Sequence, residues 1–288
     1  MKKNIKITVE KVRVDGNGVI MLTGPSGCGK GEIAKALCKF LSIPKVRHLS
    51  MGDILRKTVI KAKEDEKFMG TLAQKYNISK DISIADIQKN GHGVVKKAEN
   101  YHKDIISFLD LDNNFVSQFD WLEFCVANGL LIPDEWTERI IDALLESSPE
   151  LHKGIFILDG YPRTVNAGKE LLKTLNRLNI PIIKVLHLFI TKEQMKVRVL
   201  SRGRIDDTQN SLESRYQFYI EKVQPCIDYL KDYLGSAMIS LVDAHQPIYD
   251  ESGQINMDAS INEVVISVMQ VLGLPKFLMD LEANPYHK

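Results

Sequence analysis

The spacing of apolar and polar positions changes period repeatedly along the chain. Continuous apolar runs at Val19 to Leu22 and Ile155 to Leu158 read as buried strands. So does Ile182 to Ile190, although Lys184 and His187 interrupt it. Lys45 to Leu49 and Met238 to Val242 add two shorter strand candidates. Between them the period becomes helical: Ile33, Ala34, Leu37, Cys38 and Leu41; then Ile54, Leu55 and Val59; then Trp136, Ile140, Ile141 and Leu144 behind Pro133. Further helices are expected after Asp159, over about Lys192–Arg202, over about Gln209–Leu234 and over Ile261–Leu272, with a loop or small hairpin at His245–Met257. Short strands alternating with helices predict an α/β chain, a three-layer fold with a five-stranded parallel sheet and helices on both faces. Ligands in such folds bind at the carboxyl ends of the strands.

Two stretches depart from this rhythm. Ile5 to Val14 alternates with one phase slip and reaches a turn at Asp15–Gly18, which predicts an added strand. From about Lys61 to Asn128 the chain becomes polar and lysine-rich with helical spacing, interrupted at Asn90–Gly93. One apolar stripe, Phe115, Phe119, Leu122 and Val126, ends at Asn128 and Gly129. The expected organisation is therefore an N-terminal extension at 1–17, a core of 18–60 and 129–272, a helical insertion at 61–128 and a tail at 273–288.

Chemistry enters at Gly24 to Gly31, GPSGCGKG, which follows the first apolar strand and leads into a helix. That context is what a P-loop needs: glycines let backbone amides converge on phosphate oxygens, the helix N-terminus adds positive potential, and Lys30 reaches the outer phosphates. Gly31 stands where a Ser or Thr commonly ligates Mg2+, so the metal has to be held by other groups.

Composition narrows the partners. Lys and Arg number 38 against 37 Asp and Glu, so there is no net field to recruit nucleic acid or an acidic membrane. The four cysteines, Cys28, Cys38, Cys125 and Cys226, form no CxxC pair, which fits a reducing cytosol. The basic N-terminus has no apolar run behind it, and neither a signal peptide nor a membrane span is expected. Asp110, Asp112 and Asn114 resemble the start of a calcium loop, but Phe115 replaces its glycine and Trp121 its bidentate glutamate.

Candidate groups gather at predicted strand ends. Asp159 and Asp53 each follow a strand, where a carboxylate orders water around a metal or, alternatively, caps a helix. Arg163 leaves the same strand end as Asp159, and Arg56 lies one turn into the helix after Asp53. A guanidinium at either place suits bidentate phosphate contacts, the alternative being a solvated surface arginine. Arg198, Arg202, Arg204 and Arg215 form a third group, suited to neutralising a transferring phosphoryl or to a surface ion-pair network with Asp206 and Asp207.

Five motifs in order, GPSGCGKG, SMGDILR at Ser50–Arg56, GLLIPDE at Gly129–Glu135, LDGYPRT at Leu158–Thr164 and RGRIDDTQNSLESRY at Arg202–Tyr216, resemble those of adenylate kinases and their UMP/CMP kinase relatives. The resemblance implies a Mg2+-dependent transfer of the γ-phosphoryl of ATP to a nucleoside monophosphate, with AMP first and UMP/CMP second as acceptor. It implies that Gly24, Ser26, Gly27, Cys28, Gly29, Lys30, Gly31 and Glu32 surround the ATP phosphates, with Arg198 against the ATP base. Met51, Arg56, Ile132, Gly160, Arg163 and Asn166 would hold the monophosphate, Arg202, Arg204 and Arg215 the moving group, and Asp53 and Asp159 the metal through water. A nucleotide-switched binding module is the alternative from another class.

Three departures from the resemblance matter. Met51 replaces a threonine near the acceptor base, and either Asn166 or Ala167 stands where a glutamine reads adenine. Only Gly203 separates Arg202 from Arg204, so no lid is present to exclude water from the phosphoryl site. The segment 61–128 and a neighbouring subunit are the candidate covers.

Overall fold

A computed structural model describes residues 16–84, 101–112, 114–128, 130, 132–202 and 209–274. The predicted strand at Ile5–Val14, the interruption at Asn90–Gly93, Gly129, Arg204 with Asp206 and Asp207, and the tail from residue 275 lie outside them. The chain divides into two compact units, Met1–Ser50 with Ser148–Lys288 and Met51–Ser147.

The first unit is built on five parallel strands: β1 (Gly18–Thr23), β2 (His48–Ser50), β3 (Ile155–Asp159), β4 (Ile182–Phe189) and β5 (Ile239–Asp243), in the order β2-β3-β1-β4-β5. The central strand β1 is buried along its whole length, as are all positions of β3, which is why both read as unbroken apolar runs. Alternate residues face opposite layers. Ile20, Leu22, Ile157, Leu186 and Leu188 join a core with Ile33, Ala34 and Leu37 of α1 (Lys30–Phe40) and with Val264, Val268 and Met269 of the closing helix Met257–Val271.

Two sequence expectations are corrected at this level. Pro44 pins the chain into a 3-10 turn over Lys45–Arg47, so β2 begins only at His48. The long helix expected over Gln209–Leu234 is two α-helices, Gln209–Phe218 and Gln224–Leu234, joined by a π-helical turn at Tyr219–Val223. Pro225, near the start of the second helix, has no amide to donate to the preceding turn, which is consistent with a break in the regular ladder there. The loop or small hairpin expected at His245–Met257 is a loop closed by one antiparallel bridge between Tyr249 and Ile255, with Asn256 N donating to Ile248 O at 2.7 Å.

The second unit is helical. α2 (Met51–Glu64), α3 (Glu66–Tyr76), α4 (His102–Leu109), α5 (Gln118–Ala127) and α6 (Asp134–Ser147) share one core of Val59, Leu72, Ile105, Trp121, Leu122 and Trp136 among others. Residues of 61–128 thus pack with those of α2 and α6 in a single apolar cluster. Ser117 caps α5 reciprocally with Asp120, and Phe115 lies outside that helix and is exposed. The periodic stripe therefore loses its first member because the cap begins after it.

The tightest backbone approach in the first unit is at Gly24, directly after β1. Its φ is +143°, and a Cβ there would fall on the carbonyl oxygen of Leu188 in β4, well inside contact distance. Gly24→Ala is expected to lower stability by roughly 2–5 kcal/mol from backbone strain and overpacking together, measured as a loss of denaturation midpoint.

Candidate active site

The glycine loop is held by the sheet beneath it. β1 ends at Thr23, Gly24 turns against β4, and Gly29 with φ 87° opens α1 in a left-handed conformation. Lys30 folds back over the loop, its Nζ donating to the carbonyls of Gly24 at 2.9 Å and Pro25 at 2.8 Å and lying 3.6 Å from Cys28 Sγ. These carbonyl bonds are neutral-acceptor contacts, weaker than those an ammonium makes to anionic oxygens. Glu32 on the exposed side of α1 pairs with Lys35 at 2.8 Å, so its charge is partly met by a neighbour.

Asp159 closes β3 and is 6% exposed. It does not cap the following helix, whose N-cap is Thr164 accepting from Ala167 N. Its Oδ2 lies 3.4 Å from His48 Nε2 across the β2–β3 pair, and the α1 position Gly31 approaches the same oxygen. A buried carboxylate with one imidazole partner and an open glycine face fits the water-mediated hold on Mg2+ that its strand-end position suggests. The turn after it is tied to β1 by Gly160 N donating to Leu22 O at 3.0 Å, and Arg163 Nε donates to Gly160 O at 2.7 Å. Arg163 is exposed. On the next helix, Val165–Arg177, Ala167 is 1% exposed against the core, whereas Asn166 is on the surface.

Arg198, half-buried on the helix Lys192–Arg202, donates through Nη2 to the carbonyl of Ala244 at 2.9 Å and lies 3.3 Å from His245 Nδ1. Burial lowers its pKa, while Cys28 of the loop and Asp243 oppose that shift. The strand-end loop 244–245 is thus part of the same surroundings as the glycine loop. Arg202 ends that helix, and Arg215 lies on Gln209–Phe218.

The remaining predicted residues belong to the second unit. Met51 is 2% exposed at the start of α2 and presents no surface, and Ile132 is 8% exposed. Asp53 and Arg56, both exposed, form an i,i+3 ion pair with each other. Among the described residues no group of three or more His, Cys, Asp or Glu is arranged to hold a metal directly, and no helix is long and apolar enough to cross a membrane. All four cysteines are buried thiols outside any disulfide, and burial pushes Cys38 up to about 11.

Sequence reasoning did not assign a role to two histidines. His48 was legible in principle, since strand alternation places it on the face of Ser50, the last residue of β2. His187 was visible as a break in the apolar run of β4. It is 2% exposed, its Nε2 lies 2.7 Å from the Tyr219 hydroxyl, and burial together with the charge of Lys30 brings its pKa down to about 4.

Comparison with known proteins agrees with these observations. A family profile described as "Adenylate kinase" matches residues 120–234, and one described as "AAA domain" matches residues 23–103. The chain is 29% identical over 240 residues to an adenylate kinase of Cyanothece sp., covering 82% of this chain and 92% of that protein. It is 28% identical over 233 residues to one of Corynebacterium urealyticum, covering 81% and 94%, and 28% identical over 210 residues to one of Nocardia farcinica, covering 73% and 84%.

The buried histidine gives a pH dependence with a definite sign. Its folded value of about 4 lies below the ordinary 6.5, so the unfolded chain takes up the proton first as pH falls. Stability should decline between about pH 6.5 and 4 by up to about 3 kcal/mol from this group, and the loss should saturate below that window. Denaturant unfolding of His187→Gln should show a flatter acid limb than the parent.

Proposed function

We propose that this chain, which belongs to the adenylate kinase family and is a phosphotransferase acting on a nucleoside monophosphate, uses ATP as donor and AMP as acceptor, yielding two ADP. The observation that carries this reading is that two cationic side chains follow neighbouring strands. Lys30 follows β1, Arg163 follows β3, and the Gly160–Leu22 hydrogen bond ties the second turn to the first strand. A simple ATP switch has no use for the second of these groups.

On this reading the loop Gly24–Glu32 and Lys30 hold the ATP phosphates, with Lys30 exchanging carbonyl partners for phosphate oxygens. Arg198 lies against the ATP base. Arg56 and Arg163 clamp the acceptor phosphate, and Arg202, Arg204 and Arg215 neutralise charge on the moving group. The Asp53–Arg56 pair does not oppose this. Both side chains are more than half exposed, and a surface pair of that kind contributes about 0–1 kcal/mol, less than a charge-assisted phosphate contact. Asp159, and Asp53 once Arg56 turns to substrate, would order the waters around Mg2+, which when bound draws charge from the phosphate oxygens. Positioning and electrostatics then suffice, with no covalent intermediate.

Acceptor choice is supported by Thr164 directly after Arg163 and by Asn166, whose exposed amide can reach a base where the buried Ala167 cannot. A panel of AMP, CMP, UMP, dCMP and GMP with ATP and Mg2+, scored for diphosphate, should show AMP turning over fastest. Faster CMP or UMP turnover would assign the chain to the UMP/CMP kinases, and no turnover of any would remove the kinase reading.

Lys30→Ala and Arg163→Ala should each lower kcat/KM at least about 10³-fold with an unchanged thermal midpoint. Asn166→Ala should raise the KM for AMP about 10-fold while leaving the KM for ATP unaltered. An AMP KM unchanged by that substitution would show that the amide does not read the base.

A further inference from the structure

Behind the glycine loop lies a polar chain that the phosphate chemistry does not use. His187 of β4 is buried and bonds Tyr219 through Nε2 at 2.7 Å. The Tyr219 hydroxyl lies 3.2 Å from Gln224 Oε1, and Gln224 Nε2 lies 3.1 Å from Asp228 Oδ1. The proton order along this chain follows from its exposed end. The Asp228 carboxylate only accepts, so it fixes the Gln224 amide with nitrogen toward it and oxygen toward Tyr219. Tyr219 therefore donates its one proton to Gln224 and accepts from His187 Nε2–H. Burial holds the ring neutral, so this order fixes the Nε2–H tautomer.

The chain joins two elements that matter to the site. On β4, Thr23 and His187 are register partners across the β1–β4 pair, and the carbonyl of the next residue, Leu188, is the surface on which Gly24 rests. On the helical side, Tyr219 opens the π-turn directly after the helix that carries Arg215, four residues earlier. A residue four positions away on a helix lies on the same face, one turn along. A recess of about 360 Å3, lined by His187, Phe189, Tyr219, Gln224 and Ile227 among others, leaves one side of Tyr219 without packing partners. Beside such a recess, directional hydrogen bonds are what hold the ring in one place.

We propose that His187 and Tyr219 are positioning residues that lock the Arg215 helix to the strand backing the glycine loop, so that the arginine meets the transferring phosphoryl in register. This rests on the kinase reading above. Displacement of a charge-stabilising group by about 1 Å costs on the order of 10²-fold in rate, which sets the scale of the effect.

Tyr219→Phe removes only the hydroxyl and keeps the ring. In a folded variant, kcat should fall about 10- to 100-fold while the KM for ATP changes less than about three-fold. His187→Gln, which keeps a donor, should retain kcat within about five-fold of the parent, whereas His187→Phe should match Tyr219→Phe. The decisive measurement is the double mutant with Arg215→Ala. If the tyrosine acts through the arginine, adding Tyr219→Phe to Arg215→Ala changes kcat less than about two-fold.

A folded Tyr219→Phe with parental kcat, or one whose full loss recurs without Arg215, overturns the inference. A parent that turns over no monophosphate overturns the kinase reading and this inference with it.

Discussion

Everything at the candidate site depends on how closely the backbone of Gly24 approaches Leu188. No side chain fits there, and the residue's φ of +143° suits glycine. That contact forces the chain to turn sharply off β1, the central strand of the sheet, and to enter α1 within six residues. A loop so short can only present its amides upward, because both of its ends are fixed by the sheet and by the first helical turn. Parallel strands then bring the other participants to the same edge. Asp159 arrives at the end of β3 and His187 and Leu188 on β4, each in register with a neighbouring strand, while Gly160 follows β3 and Ala244 follows β5.

Electrostatics at this edge are divided between a buried and an exposed regime, and the division separates structural from adjustable groups. Asp159 and His187 are buried and sit in fixed geometries, Asp159 beside His48 and His187 against Tyr219. Lys30 is half-buried and bonded to two loop carbonyls. Arg163 is exposed. In the second unit Arg56 and Asp53 are exposed too, and their ion pair is worth little in water. The exposed groups are thus those whose present bonds are cheap to break, while those that define the frame are desolvated and costly to disturb.

Much of this was legible in the chain itself because strand periodicity and glycine chemistry are local. Val19–Leu22, Ile155–Leu158 and Lys192–Arg202 fall where the pattern puts them, and GPSGCGKG forms the loop its residues predict. The misreadings arose where a local rule was overridden or a partner was distant. Pro44 delayed β2, and the π-turn before Pro225 broke a helix whose polar-apolar period runs straight through. His187 looked like a flaw in an apolar strand because Tyr219, 32 residues away, supplies its partner. Asn166 and Ala167 were indistinguishable until burial separated them, since adjacent helical residues differ by a hundred degrees of rotation that no motif count records.

The same reasoning bears on why a histidine is tolerated in the middle of a parallel sheet. A buried neutral imidazole with one satisfied nitrogen costs about 1–3 kcal/mol for the other, because Nδ1 has no protein partner among the described residues. An aliphatic residue at this position would avoid that cost. It could not, however, tie Tyr219 to the strand. What the histidine supplies is direction: one bond of 2.7 Å that sets which way the ring of Tyr219 faces, at a turn where the regular helical ladder gives no such constraint. The local loss of stability is therefore exchanged for a fixed angle between the strand that backs the phosphate loop and the helix that bears Arg215.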